Sequence, residues 1–156
     1  MAQSFPFVFE LPMARWSLWV QYAWQVSTFE QMRLVSNAFS ALWWDVTCVS
    51  DYEHALACVA SGDWSYVVSW LDQLFSCVAS AREFWASSVV VGLESLLGEG
   101  ASSDEGYQDA AGHVQSLTEV QGQIVQAVSQ YCLLAACPLP KQVQAFLDRS
   151  VVPIES

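Results

Sequence analysis

The sequence predicts an all-α fold, an antiparallel four-helix bundle with an extended N-terminal segment. Three observations carry that expectation. Apolar residues recur at three-and-four spacing in four separate segments. Pro138 and Pro140 stop the last of the long segments, since proline lacks the amide donor and clashes with the preceding turn. A long acidic, glycine-bearing connection, about residues 96–113, separates the third predicted helix from the fourth. At 156 residues the chain fits one domain, 1–156, able to bury a sizeable core without disulfides or metal.

Residues 4–12, SFPFVFELP, alternate in part and carry two prolines, so they read as an extended lead-in or a short edge strand. Trp16, Trp19, Val20 and Ala23 then mark a first helix over 14–26. Ser27 and Glu30 have the spacing of a capping box, after which Met32, Val35, Ala38, Phe39, Leu42 and Trp43 extend a second helix from Phe29 to about Trp44. Residues 45–62 fit either a short helix, 52–60, or a pair of small strands. Asp63 is placed to cap a third helix with the stripe Trp64, Val67, Val68, Leu71, Phe75, Val78 and Trp85. The run of serine, valine and glycine at 87–92 is poor helix interior, and a break is expected there. Val114, Leu117, Val120, Ile124, Val128 and Tyr131 give the fourth helix, 113–136, with Ser116 and Glu119 as a capping box for a later start. Residues 141–148 add a short terminal helix.

Composition bears on partners. An apolar fraction of 54% with eight tryptophans exceeds the roughly 45–50% of ordinary soluble domains, which favours apolar surface facing another chain, most simply a second copy. A formal charge of −11 argues against a broad nucleic-acid-binding face, and Arg15, Arg33, Arg82, Lys141 and Arg149 are the entire positive complement. Any phosphate contact is therefore local. The five cysteines lack paired CxxC spacing and read as buried thiols of a reducing compartment. The N-terminus shows no secretory pattern, and the longest uncharged stretch, 120–140, is interrupted by glutamines, so no membrane partner is expected.

The residues give little chemistry. His54 and Cys58 are four apart with Cys48 nearby, but a structural zinc site needs four ligands, and Cys132, Cys137 and His113 lie far along the chain. A cysteine nucleophile paired with His54 or His113 has no local motif behind it, and nucleophile-elbow, phosphate-loop, zincin and dinucleotide signatures are absent. No enzyme and no cofactor is expected. Glu94, Glu99, Asp104, Glu105 and Asp109 lack calcium-loop spacing; they read as a solvated connection or as a charge switch whose repulsion opposes crowding of identical copies.

The order of elements resembles that of the rod-shaped plant virus coat proteins of the tobacco mosaic virus type. Phe7-Val8-Phe9 is similar to the family's N-terminal apolar segment; Thr28 to Trp43, with Phe39 four before Trp43, resembles its second helix; Leu71-Asp72-Gln73-Leu74 resembles the opening of its third; and Gln144-Ala145-Phe146 its outer C-terminal segment. The resemblance covers most of the chain as a pattern of short motifs. It implies a capsid subunit that self-assembles into helical rods or disks around single-stranded RNA, in the virion and the host cytoplasm, with the 96–113 loop lining an inner channel. It also implies that Asp72 is an inter-subunit carboxylate, though the usual partner position is Ala41 here. The family's arginine-rich turn corresponds to Glu83-Phe84-Trp85-Ala86-Ser87 with Arg82 beside it. At a further arginine position stands Asn37, with Arg33 one turn earlier. Arg33, Asn37 and Arg82 are thus the residues implied to contact RNA. The rival expectation is a helical-bundle adaptor whose groove receives a partner helix.

Overall fold

The computed structural model describes residues 5–150; Ser4 of the lead-in and the tail at 151–156 lie outside the described residues. Among the described residues all regular structure is helical: α1 Met13–Trp24, α2 Phe29–Ala60, α3 Trp64–Phe84, α4 Val91–Leu97, α5 Glu105–Ala135 and α6 Lys141–Ser150. A π-helical turn, Trp85–Val90, joins α3 to α4, and a 3-10 turn, Gly98–Ser103, follows α4. α2 packs on α3 and α3 on α5, while α6 lies against α3. The lead-in and α1 close the side between α2 and α5: Phe5 reaches both Tyr52 and Tyr131, and Arg15 pairs with Asp109.

The lead-in is extended without being a strand. Phe5 and Phe7 point inward, Pro6 and Val8 outward, the period-two alternation of a single extended chain. α1 starts one residue earlier and ends two earlier than the spacing predicts. The second helix is capped by Thr28, not Ser27: Thr28 Oγ1 accepts from the Gln31 amide at 3.1 Å, and Gln31 Oε1 accepts from the Thr28 amide at 3.2 Å and the Ser27 amide at 2.7 Å. The side chain of Gln31 answers two orphan donors at once, leaving Glu30 exposed.

Neither a stop at Trp44 nor a pair of small strands at 45–62 is found, because the inward phase of α2 continues unbroken. Ala38, Leu42, Asp45, Val49 and Tyr52 are all buried, and packing on α3 outweighs the weak propensity of Val46, Thr47 and Val49. Asp51 is buried on the same helix without a cation in hydrogen-bond reach, and burial pushes its carboxyl up while His54 pulls it down. A carboxyl raised in the folded state binds its proton more tightly there than in the unfolded chain. Its contribution is therefore favourable at acid pH and is lost as pH rises from the ordinary range through the raised value. Asp51→Asn is expected to raise Tm at neutral pH by roughly 1–3 °C, with the gain vanishing near pH 3; thermal melts at the two pH values check it.

Asp63 stands at the N-cap of α3 but its side chain makes no capping bond. The expected break at 87–92 is instead the π turn. Ala81, Trp85, Val89 and Leu93 recur every four residues and are all fully buried. An α-helix of 3.6 residues per turn would carry such a stripe off the core, and the wider turn restores it.

The largest correction concerns 96–113. Gly98, with φ of +61°, ends α4, and Asp104 caps α5 by accepting from the Tyr107 amide at 3.0 Å, so the helix begins at Glu105 rather than at His113 or after Ser116. Gly106 leaves room for that cap: a Cβ would stand 3.1 Å from Asp104 Oδ2, close enough that the capping carboxylate would have to shift, and 3.8 Å, ordinary contact, from Trp19 Cζ2. Thus the acidic stretch is mostly the first turns of a docked helix. Ala136, in the left-handed region with φ of 55°, closes α5 ahead of Pro138.

Candidate functional site

The predicted carboxylates do not gather in a free loop. Asp104 is the α5 cap. Asp109 takes the Arg15 Nε donor at 2.7 Å and its second guanidinium nitrogen at 3.4 Å, tying α5 to α1. Glu94 accepts from the Tyr107 hydroxyl at 2.8 Å, and that bond, with the carboxylate charge, pushes the Tyr107 phenol up. Asp72 accepts from Gln142 Nε2 at 2.8 Å and so anchors α6 within the same chain. Glu99 and Glu105 are exposed.

Of the three residues implied to contact RNA, two come together. Arg33 and Asn37 line one wall of a cleft of about 200 Å³, with Glu30 on the same side and Ser88, Gly92 and Ser95 opposite. The Arg33 guanidinium lies 5.3 Å from the centre of the Phe29 ring. Arg82 is elsewhere, half-buried, its Nε enclosed and without a hydrogen-bond partner.

His54 is not a ligand beside Cys48 and Cys58. Its Nδ1 donates to the Ser50 carbonyl at 2.8 Å and its ring stacks on Trp70 at 4.2 Å. Cys48 instead meets Cys77, Sγ to Sγ 3.2 Å, in the α2–α3 interface. That hydrogen bond and burial push the Cys48 thiol far up, which makes it a poor nucleophile. Burial, with Cys137 beside it, holds the Cys132 thiol at about 11. Among the described residues no three histidine, cysteine or acidic side chains are grouped to hold a metal ion.

Sequence reasoning missed a buried polar knot. Asp45 on α2 accepts from the Trp85 indole at 3.1 Å and from His113 Nε2 at 3.0 Å and 3.1 Å, so one carboxylate joins α2, the π turn and α5. Arg15 lies 5.8 Å from the Trp85 ring centre, bringing α1 to the same point. The available signal was phase: Asp45 continues the inward run of Ala38 and Leu42.

Alongside its exposed carboxylates the molecule shows an aromatic patch. On the solvent side of α2 and its flanks stand Trp43, Phe29 and Met32, 68%, 67% and 59% exposed, with Trp16 packed edge-on to Phe39 at 5.1 Å. Beside Trp43 runs a groove of about 690 Å³ whose walls are Phe39, Trp43, Trp44 and Phe84 and whose remaining lining is Ser36, Ser40 and Thr47. No charged residue lines it.

Comparison with protein-family models, with curated proteins and with solved structures finds no match to this chain.

Proposed function

We propose that the chain is a structural subunit that self-assembles through the aromatic face of α2 and its flanks. The observation that carries this reading is the uncharged, aromatic-walled groove beside a tryptophan that is two-thirds exposed. Contiguous exposed apolar surface of this kind costs free energy in water and marks association sites. The finer form of the proposal is a coat subunit of the rod-forming type, a helical bundle packed side by side in rods or disks in the virion and host cytoplasm. It is supported by the order of the quoted motifs and by the helical content of the chain. In this form single-stranded RNA meets the cleft of Arg33 and Asn37, and assembly needs no catalysis and no cofactor.

Purified protein is expected to sediment as particles much larger than 17.3 kDa and to appear as disks or rods in negative stain. Lowering the pH toward 5 is expected to increase particle size, because protonation relieves repulsion between copies of formal charge −11. Material that sediments as a single chain at every pH and concentration refutes self-assembly. For RNA, the readout is nuclease-protected nucleic acid in the particles, with Arg33→Ala expected to abolish the protection; particles devoid of nucleic acid remove that part alone.

A further inference from the structure

The face of α2 has a property that its composition does not require: it is complementary to itself when reversed. Its outward residues follow a three-and-four spacing, Phe29, Arg33, Ser36, Ser40, Trp43, Thr47 and Ser50, flanked by Met32 and Phe39. Large side chains lie toward one end and small ones toward the other, apart from Trp43, which stands one turn beyond two serines. Consider a second copy of α2 laid antiparallel on the first, with a two-fold axis passing between Phe39 and Ser40. Trp43 of each copy then falls over Ser36 of the other, Met32 over Thr47, and Phe29 over Ser50. Each of these three large residues meets a small one, and Arg33 falls opposite Val46.

We propose that the occupant of this face is a second copy of the chain, paired antiparallel through α2 over residues 29–50 with Trp43 seated at the Ser36 end of the neighbouring groove. The inference rests on the self-assembly reading and specifies its first contact. Charge points to a copy rather than to a basic partner. Between Glu30 and Glu53 the helix exposes no carboxylate, since Asp45 and Asp51 are both turned inward and buried. On a molecule of charge −11 this is a place where two copies approach with few carboxylates juxtaposed, Glu30 and Glu83 standing only at its edges, and a cationic partner finds little there to pair with.

The exposed apolar area is substantial. At about 150–250 Å² per aromatic side chain, the exposed fractions of Trp43, Phe29 and Trp16 supply roughly 350 Å². Met32, Phe39, Trp44, Phe84 and the serines between them extend the patch toward the about 800 Å² per partner of a stable interface. The contact is isologous and closes at two copies, so rods require a further surface. Tyr66, Leu133 and Leu134 are also exposed, at the end of the bundle where Trp64 meets Tyr131.

The test is a compensating swap, read by sedimentation velocity across a concentration series, with circular dichroism reporting the fold. Trp43→Ser is expected to weaken pairing by roughly 30-fold or more, as a central tryptophan anchor does, and Ser36→Trp to weaken it by sterically blocking the seat. Combining Ser36→Trp with Trp43→Ser is expected to restore pairing to within a few-fold of the unmodified chain. As a second readout, Ser40→Cys, beside the axis, is expected to form a covalent dimer under mild oxidation, whereas Val91→Cys, exposed elsewhere, is not. Folded variants that pair as well as the unmodified chain, a folded double variant that stays apart, or a Ser40→Cys chain that does not cross-link overturns this pairing and leaves self-assembly standing. An unmodified chain that never associates removes both.

Discussion

Asp45→Ala is expected to destabilise the fold by about 3–5 kcal/mol, the usual consequence of removing one partner from a buried polar pair. The substitution leaves two donors without an acceptor, the Trp85 indole and His113 Nε2, in a place where Trp85 is fully enclosed and Asp45 nearly so. An unsatisfied buried donor costs about 1–3 kcal/mol by itself. The removed carboxylate also joins α2 to the π turn and to α5, so its loss loosens three elements together. Urea denaturation followed by circular dichroism measures the effect. Trp85→Phe deletes one donor but also shrinks a fully buried indole to a phenyl ring, so a cavity cost adds to the lost hydrogen bond. A double-mutant cycle between Asp45→Ala and His113→Ala should show coupling on the order of 1–3 kcal/mol. Loss of less than about 1 kcal/mol in Asp45→Ala would mean that the knot is geometrically present but energetically idle.

This knot also shows where the sequence was legible and where it was not. α1, the start points of α2 and α3 and the short α6 follow from apolar spacing and turn residues, which act within a few residues, although the cap of α2 is Thr28 with Gln31 and Asp63 makes no capping bond. The continuation of α2 through Val46, Thr47 and Val49 was not readable in that way. Its cause is the fit of Asp45, Cys48 and Tyr52 to elements distant in sequence, and tertiary packing outweighs propensity. Likewise the serine and valine run at 87–92 looked like a break because propensity has no entry for a π turn that keeps Val89 and Leu93 inside.

The acidic stretch failed as a loop for an identifiable reason. Glycine and carboxylates suggested solvent, yet Asp104 holds the Tyr107 amide and Gly106 leaves room for that capping carboxylate. Both are helix-start devices that look like loop composition. The inter-subunit role implied for Asp72 and the inner-channel role implied for Glu94, Asp104 and Asp109 now compete with bonds each makes inside its own chain. The tryptophans divide between core and surface. Trp19 and Trp85 are fully enclosed, while Trp24 and Trp43 are left in water.

Phe7→Ala is expected to cost about 3–5 kcal/mol, close to the effect at Asp45, although it lies in a segment with no secondary structure. Among the described residues no backbone hydrogen bond joins residues 5–10 to a helix, so the lead-in is held by its side chains. Phe5 and Phe7 stack at 5.2 Å with planes 7° apart; Phe5 meets the Tyr131 ring edge-on at 5.8 Å, and Phe7 and Phe9 both face Tyr52. Removing the middle ring strips Phe5, Phe9 and Tyr52 of the aromatic neighbour they share. Val8→Ala, one residue away but facing solvent, should change stability by no more than about 0.5 kcal/mol. That contrast tests the period-two registration and not mere proximity. A second readout comes from Tyr52, whose phenol is pushed above its ordinary value by burial and then by the Glu10 and Glu53 carboxylates. Opening the lead-in rehydrates the ring, so spectrophotometric titration of Phe7→Ala should bring that phenol back toward the ordinary range. An unchanged titration together with unchanged stability would show that the extended segment rests on the bundle without sealing it.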